Sequence, residues 1–145
     1  MEVIETSYKV YVKTNDDGII TAVNSSAFLS DTTGWTEIDE GTGDRYHHAQ
    51  GHYLNEPLAD EKGIFNYLLI DCKPVLRSDE HKQPELDRIN AAAEIAQLKQ
   101  KLADTDYIAA KLAEGVATPE EYAFRLAERQ AWRARINELE QITLK

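Results

Sequence analysis

The chain has 145 residues, 42% hydrophobic and 29% charged, which suits one domain or two small modules with a modest core. Twenty-six acidic against 16 basic residues give a net charge of −10. No Lys/Arg patch stands out, which argues against nucleic acids and acidic membrane surfaces as partners, because both are held by basic side chains.

A single cysteine, Cys72, excludes an internal disulfide and fits a reducing compartment or a particle assembled inside a cell. Residues 1–12 lack the basic start and apolar stretch of a signal peptide. No apolar run has the length of a transmembrane helix. A soluble cytoplasmic protein is the expectation.

The first half is rich in aromatic residues and glycine, and its pattern predicts short strands. Tyr8, Val10 and Val12 alternate with Lys9, Tyr11 and Lys13, the period of a half-buried strand. Asn15-Asp16-Asp17-Gly18 supplies turn chemistry, and Ile19, Ile20, Ala22 and Val23 follow as a second strand, so residues 7–25 read as a β-hairpin. Trp35, Glu37 and Asp39 alternate with Thr36 and Ile38 as a third strand, with residues 40–44 as a loop. The stretch from His47 to Tyr53 has no clear period, and Gly51 argues against a helix there. Ile64 to Ile70 is the most hydrophobic strand, with Asp71-Cys72-Lys73 as a tight turn into an edge strand carrying Pro74.

Beyond Ser78 the composition turns to good helix formers. Residues 77–84 form a polar join, with Ser78 or Asp79 as N-cap and Pro84 as a later reset. Leu86, Ile89, Ala93 and Ala96 share one helical face, and Ile95, Leu98 and Leu102 a neighbouring one. Asp104-Thr105-Asp106 offers a break or a polar turn, and Gly115 a helix end. Thr118-Pro119-Glu120-Glu121 carries a capping-box signature for a helix running to about Leu139. On that helix Tyr122, Arg129 and Ile136 are seven apart, as are Arg125, Trp132 and Leu139. Leu126 widens the stripe into a short heptad-like face. The fold class expected is α+β, with a small antiparallel β-rich head over residues 1–77. A segment of two or three helices, forming a hairpin or coiled coil, follows over residues 78–145.

The stretches Trp35 to Gly41 and Asp44-Arg45-Tyr46-His47-His48-Ala49-Gln50-Gly51-His52-Tyr53-Leu54 resemble small tail proteins of phages and prophages of Gram-positive bacteria. Pro57-Leu58, Gly63 to Leu69, Lys73 to Arg77, Asp104 to Tyr107 and Leu126 to Arg133 continue the similarity over nearly the whole chain. The resemblance implies a place in or near a tail tip, baseplate or tail fibre, in the virion or in the host cytoplasm during assembly. It implies no chemistry and carries over no functional residue.

Three of the four histidines, His47, His48 and His52, lie within six residues. Imidazoles are zinc ligands, but alanine stands where a zincin would have its glutamate. Polar histidines beside Tyr46 and Tyr53 are therefore preferred over a metal site, and no cofactor is expected. Glu37, Asp39, Glu40 and Asp44 do not follow the spacing of an EF-hand and read as a solvated acidic loop. Cys72 lies in a turn without an evident base. Gly41-Thr42-Gly43 is too short for a dinucleotide fingerprint. Arg125, Arg129 and Arg133 recur four apart and read as a salt-bridged helix face.

No catalytic set is visible, and the chain is expected to be no enzyme. Tyr122, Leu126, Arg129, Trp132, Ile136 and Leu139 are the candidate interaction residues. Helices of this length need a covering surface, supplied either by the preceding helix or by a second copy of the chain. The expected function is a structural or adaptor component of a phage tail, contacting other tail proteins, with a homo-oligomer through the C-terminal helices as one arrangement. A tail-fibre assembly chaperone is the first alternative. A receptor- or carbohydrate-binding module, using Trp35 and the tyrosines, is the second.

Overall fold

The computed structural model describes residues 6–144. Residues 1–5 and 145 of the ranges drawn from sequence lie outside the described residues. The fold is α+β: antiparallel strands in the N-terminal half, helices in the C-terminal half.

Strands β1 (Ser7–Thr14) and β2 (Ile20–Ser25) form the expected hairpin, with Val12 opposite Val23. The Asn15 side chain builds its turn by accepting the amides of Asp17 and Ile19 through Oδ1, at 2.9 and 3.1 Å. Gly18 occupies φ 77°, where a side chain would be strained. Strand β3 (Thr36–Thr42) pairs with the other edge of β1, so the sheet order is β2-β1-β3 and β1 is central. That placement buries Val10 and Val12 completely. Ile20, Val23, Ala49, Tyr53 and Tyr67 close the core around them.

The loop expected at residues 40–44 is strand as far as Thr42, with Gly41 opposite Tyr8 and Thr42 opposite Ser7. Glycine stands at 41 because the Tyr46 ring lies over it: a Cβ there would come within 2.6 Å of ring carbons. Next come two single turns, α1 (Asp44–His47) and α2 (Ala49–His52). Gly51 therefore sits in a helical turn, against expectation. Burial of Ala49 and Tyr53 in the core fixes this segment and outweighs a glycine penalty of about 1 kcal/mol.

The hydrophobic run at residues 64–70 yields a shorter strand, β4 (Tyr67–Ile70), paired with β5 (Lys73–Leu76). Ile64 is drawn off by the Asp60 turn, donating its amide to Asp60 Oδ1 at 3.0 Å. Phe65 bridges to Ala59 instead. Asp71 and Cys72 make the two-residue turn, both with positive φ (51° and 62°), the arrangement that right-handed strand twist favours.

Helix α3 (Asp79–Asp104) starts from Ser78, whose Oγ accepts the His81 amide at 3.0 Å. Pro84 does not reset the helix but lies inside it as its sixth residue, where it forfeits one amide hydrogen bond. The helix ends where the Thr105 hydroxyl donates to the Lys101 carbonyl at 2.8 Å. Helix α4 (Tyr107–Ala113) closes on Gly115 at φ 74°. The amides of Gly115 and Val116 return to the carbonyls of Leu112 and Lys111, a Schellman ending.

Helix α5 (Ala123–Thr143) begins later than the capping signature predicts. The Thr118 hydroxyl donates to the Glu121 carboxylate at 3.3 Å instead of capping an amide. Residues 118–123 make i to i+3 turns, the tighter geometry of a helix approach. Ala91, Leu98, Ile136 and Leu139 form the helical core, flanked by Ile95, Leu102, Trp132 and Ile142.

The chain divides into a unit ending at Lys82 and a unit beginning at Gln83. The boundary falls inside α3, later than the 77/78 division drawn from sequence. Residues 77–82 are tied to the first unit: Arg77 donates to the Phe65 carbonyl at 2.8 Å, and Lys82 meets the Asn66 side chain. Among the described residues no helix is long and apolar enough to cross a membrane.

Candidate functional site

The densest group of chemically able side chains stands on α1 and α2. Asp44 opens α1 immediately after β3, with Gly43 at φ 93° turning the chain between them. Two short turns then carry His47, His48 and His52 to the side where Asp44 projects. His48 Nδ1 lies 2.5 Å from Asp44 Oδ1, and His52 Nδ1 meets the other oxygen, Asp44 Oδ2. His47 Nδ1 lies 3.2 Å from His48 Nδ1. The hydrogen bond from His48 is the first cause that holds the Asp44 carboxyl below its usual range, with His52 adding to it against the cost of desolvation.

The rings are walled on one side by aromatics. Tyr8 meets His47 edge-on at 4.7 Å between centroids, and Phe28 lies 5.3 Å from His47 and 5.5 Å from His48. An open cleft of about 430 Å³, lined by Thr6, Tyr8, Thr42, Gly43, Asp44 and His47, leads to the group.

The segment is braced from beneath. The hydroxyls of Tyr53 and Tyr46 donate to Asp39 Oδ2 at 2.8 and 3.4 Å. Arg45 donates through Nε and Nη2 to the Tyr53 carbonyl, both at 3.3 Å, and its guanidinium sits over the Tyr53 ring. Burial, followed by the Asp39 carboxylate, pushes the Tyr53 phenol up to about 12.

The acidic residues of residues 37–44 thus separate by role. Glu37 pairs with Lys9 at 3.1 Å, Asp39 receives two tyrosines, and Asp44 receives two histidines. Trp35 has the Lys13 ammonium 4.9 Å over its ring. Cys72 is exposed at the tip of the β4–β5 turn.

The interaction stripe chosen from sequence is largely consumed within the helical unit. Arg129, Ile136 and Leu139 are buried, and Trp132 packs on the same core. Tyr122 and Leu126 are half-buried. Helix α3 supplies the covering surface for Trp132, Ile136 and Leu139. Arg129, only 5% exposed, donates to the Leu102 carbonyl and to Asp106 Oδ1, each at 2.8 Å, and to the Thr105 hydroxyl. It thereby satisfies carbonyl and side-chain acceptors at the C-terminal end of α3, where a cation is favoured. Arg125 pairs with Glu128 at 2.9 Å, and Arg135 with Glu94 at 2.6 Å.

In the sequence the histidines and Asp44 belong to separate clusters. Their offsets of three, four and eight residues were the available signal. Arg129 carried a signal too, as a charged residue on the heptad between Tyr122 and Ile136.

Comparison of the chain with protein families, curated proteins and solved structures finds no match.

Proposed function

We propose that the chain is a structural or adaptor component of a phage or prophage tail and acts by protein–protein association. The observation that carries the reading is the apolar surface left on the helical unit once its own core has closed. Phe124 is 80% exposed and Val116 67%, with Tyr107 also open to solvent. Single exposed apolar residues are ordinary; we read these three, all between residues 107 and 124, as part of a surface that a partner covers. The resemblance of the sequence to small phage tail proteins gives that partner its class: another protein of the tail. A net charge of −10 suits a protein partner better than a nucleic acid or an anionic membrane.

The test is mass spectrometry of tail particles purified from cells producing the chain, beside particles made with Phe124→Asp. The reading expects the chain at a fixed ratio to a tail protein, and less of it with the variant. A chain found bound to fibre protein in the lysate but missing from finished particles would make it an assembly chaperone instead.

A further inference from the structure

We propose that Asp44, His47 and His48 form a site for a divalent transition-metal ion of the zinc class, with His52 holding the carboxylate in place. The oxygen and nitrogen donors of Asp44, His47 and His48 all lie within 4.8 Å of one another.

Protons alone serve this group poorly. His48 Nδ1 faces Asp44 Oδ1 and His47 Nδ1 together, yet it can carry only one proton. Once that proton goes to the carboxylate, His47 Nδ1 is left with its lone pair aimed at an N–H already in use. If His47 Nδ1 is protonated too, two N–H groups point at each other. A cation between the three atoms satisfies every lone pair at once.

The spacing fits. Zinc–nitrogen bonds of about 2.0–2.1 Å in a tetrahedron place neighbouring ligand atoms about 3.3 Å apart. His47 and His48 already stand at 3.2 Å. The Asp44 to His48 contact of 2.5 Å must open by about 0.8 Å to reach that tetrahedral edge. Asp44 is exposed on the first residue of a single helical turn, so its carboxylate has room to swing. His52 Nδ1 bonds the carboxylate oxygen that the metal leaves free, the outer contact that orients a metal-binding carboxylate.

Two imidazoles and one carboxylate favour zinc over calcium or magnesium, which take oxygen ligands. Three protein ligands leave a fourth position, reached from the open cleft, for water or a donor from a bound protein.

The test uses untagged full-length chain stripped with a chelator. Zinc is titrated by calorimetry, and thermal melts are recorded with and without it. One ion per chain is expected, with the midpoint rising on the order of 10 °C when free zinc stands about 100-fold above Kd. The pair His47→Gln/His48→Gln should abolish saturable binding. His52→Gln should weaken it about 10–100-fold, and His81→Gln should leave it unchanged. Nitrogen NMR of the wild-type histidines gives a reading independent of any variant: zinc should move Nδ1 of His47 and His48 and leave His81 in place. No saturable binding, binding that the double variant retains, or zinc shifts absent from His47 and His48 would overturn the proposal.

Discussion

Arg129 holds the helical unit together in a way that separates charge from packing. Its guanidinium reaches the Leu102 carbonyl, the Thr105 hydroxyl and Asp106, while the residue as a whole is only 5% exposed, so its stem is buried. Asp106 is 68% exposed, so its ion pair is screened and contributes at most about 1 kcal/mol. The Leu102 carbonyl keeps the Thr105 amide at 3.2 Å when the arginine is gone, so no buried acceptor is orphaned. What remains is the two bonds that Nη1 makes, to the Leu102 carbonyl and the Thr105 hydroxyl, about 1.5–3 kcal/mol for the charged donor they share, and the packing of the stem, about 1–2 kcal/mol. Arg129→Ala loses both, for about 3 kcal/mol in total once partial relaxation is allowed. Arg129→Met keeps the stem and loses about 1 kcal/mol, because a buried charge replaced by an apolar isostere regains desolvation energy.

Trp132 reports on this unit directly. With Trp35→Phe as background, only Trp132 remains of the two tryptophans, and its fluorescence follows urea unfolding of the helices. The expected order of stability is wild type, then Met, then Ala. An alanine variant within about 0.5 kcal/mol of wild type, the spread of an ordinary surface substitution, would refute this account of Arg129. A methionine variant as unstable as alanine would refute the division between stem and charge.

Three other perturbations address the β-rich unit. Gly41→Ala drives a methyl into the Tyr46 ring at 2.6 Å and should cost about 1–3 kcal/mol in chemical unfolding; an unchanged midpoint would mean the ring is free to move aside. Cys72 sits at φ 62°, so Cys72→Gly should relieve backbone strain and stabilise by about 0.5–1 kcal/mol, and a loss of stability would contradict that reading of the turn. The Asp60 carboxyl is held below its usual 3.8, first by the Ile64 amide and further by Lys62 and Lys82. A depressed carboxylate contributes stability that is complete above its unfolded pKa and is lost as pH falls through the lower folded value. Stability should therefore decline as pH drops below about 4, and less steeply in Asp60→Asn; identical slopes would contradict it.

The fold was most legible where side-chain periodicity and turn chemistry agree. Val10 and Val12 alternate with polar neighbours, Asn15 to Gly18 supplies the turn, and the hairpin forms where that pattern places it. Gly115 ends its helix for the same local reason. The pattern failed where a tertiary contact decides. Gly41 looks like a loop residue, yet it pairs with Tyr8 as strand, and the Tyr46 ring over it leaves little room for a Cβ. The turns of α1 and α2 span four residues each, too few to show a helical period, and they exist because Ala49 and Tyr53 reach the core. Thr118 carries the residues of a capping box, but its hydroxyl is spent on a carboxylate.

The candidate site was partly legible. The three histidines stand out in the sequence, whereas Asp44 reads as one more loop acid until α1 turns it toward them. On the helical stripe, the apolar positions forecast burial, and the helix that buries them belongs to the same chain. Tyr107, Val116 and Phe124 are the residues of the helical unit on which the proposed association rests, each exposed to solvent.

The most direct test of the central claim, that this chain works by associating with tail proteins, is cross-linking mass spectrometry on purified tail particles. The account predicts cross-links from Lys111, whose ammonium lies 5.6 Å from the centre of the Tyr107 ring, to one tail protein, lost together with particle incorporation in Phe124→Asp. Particles that contain the tail proteins but none of this chain would contradict it.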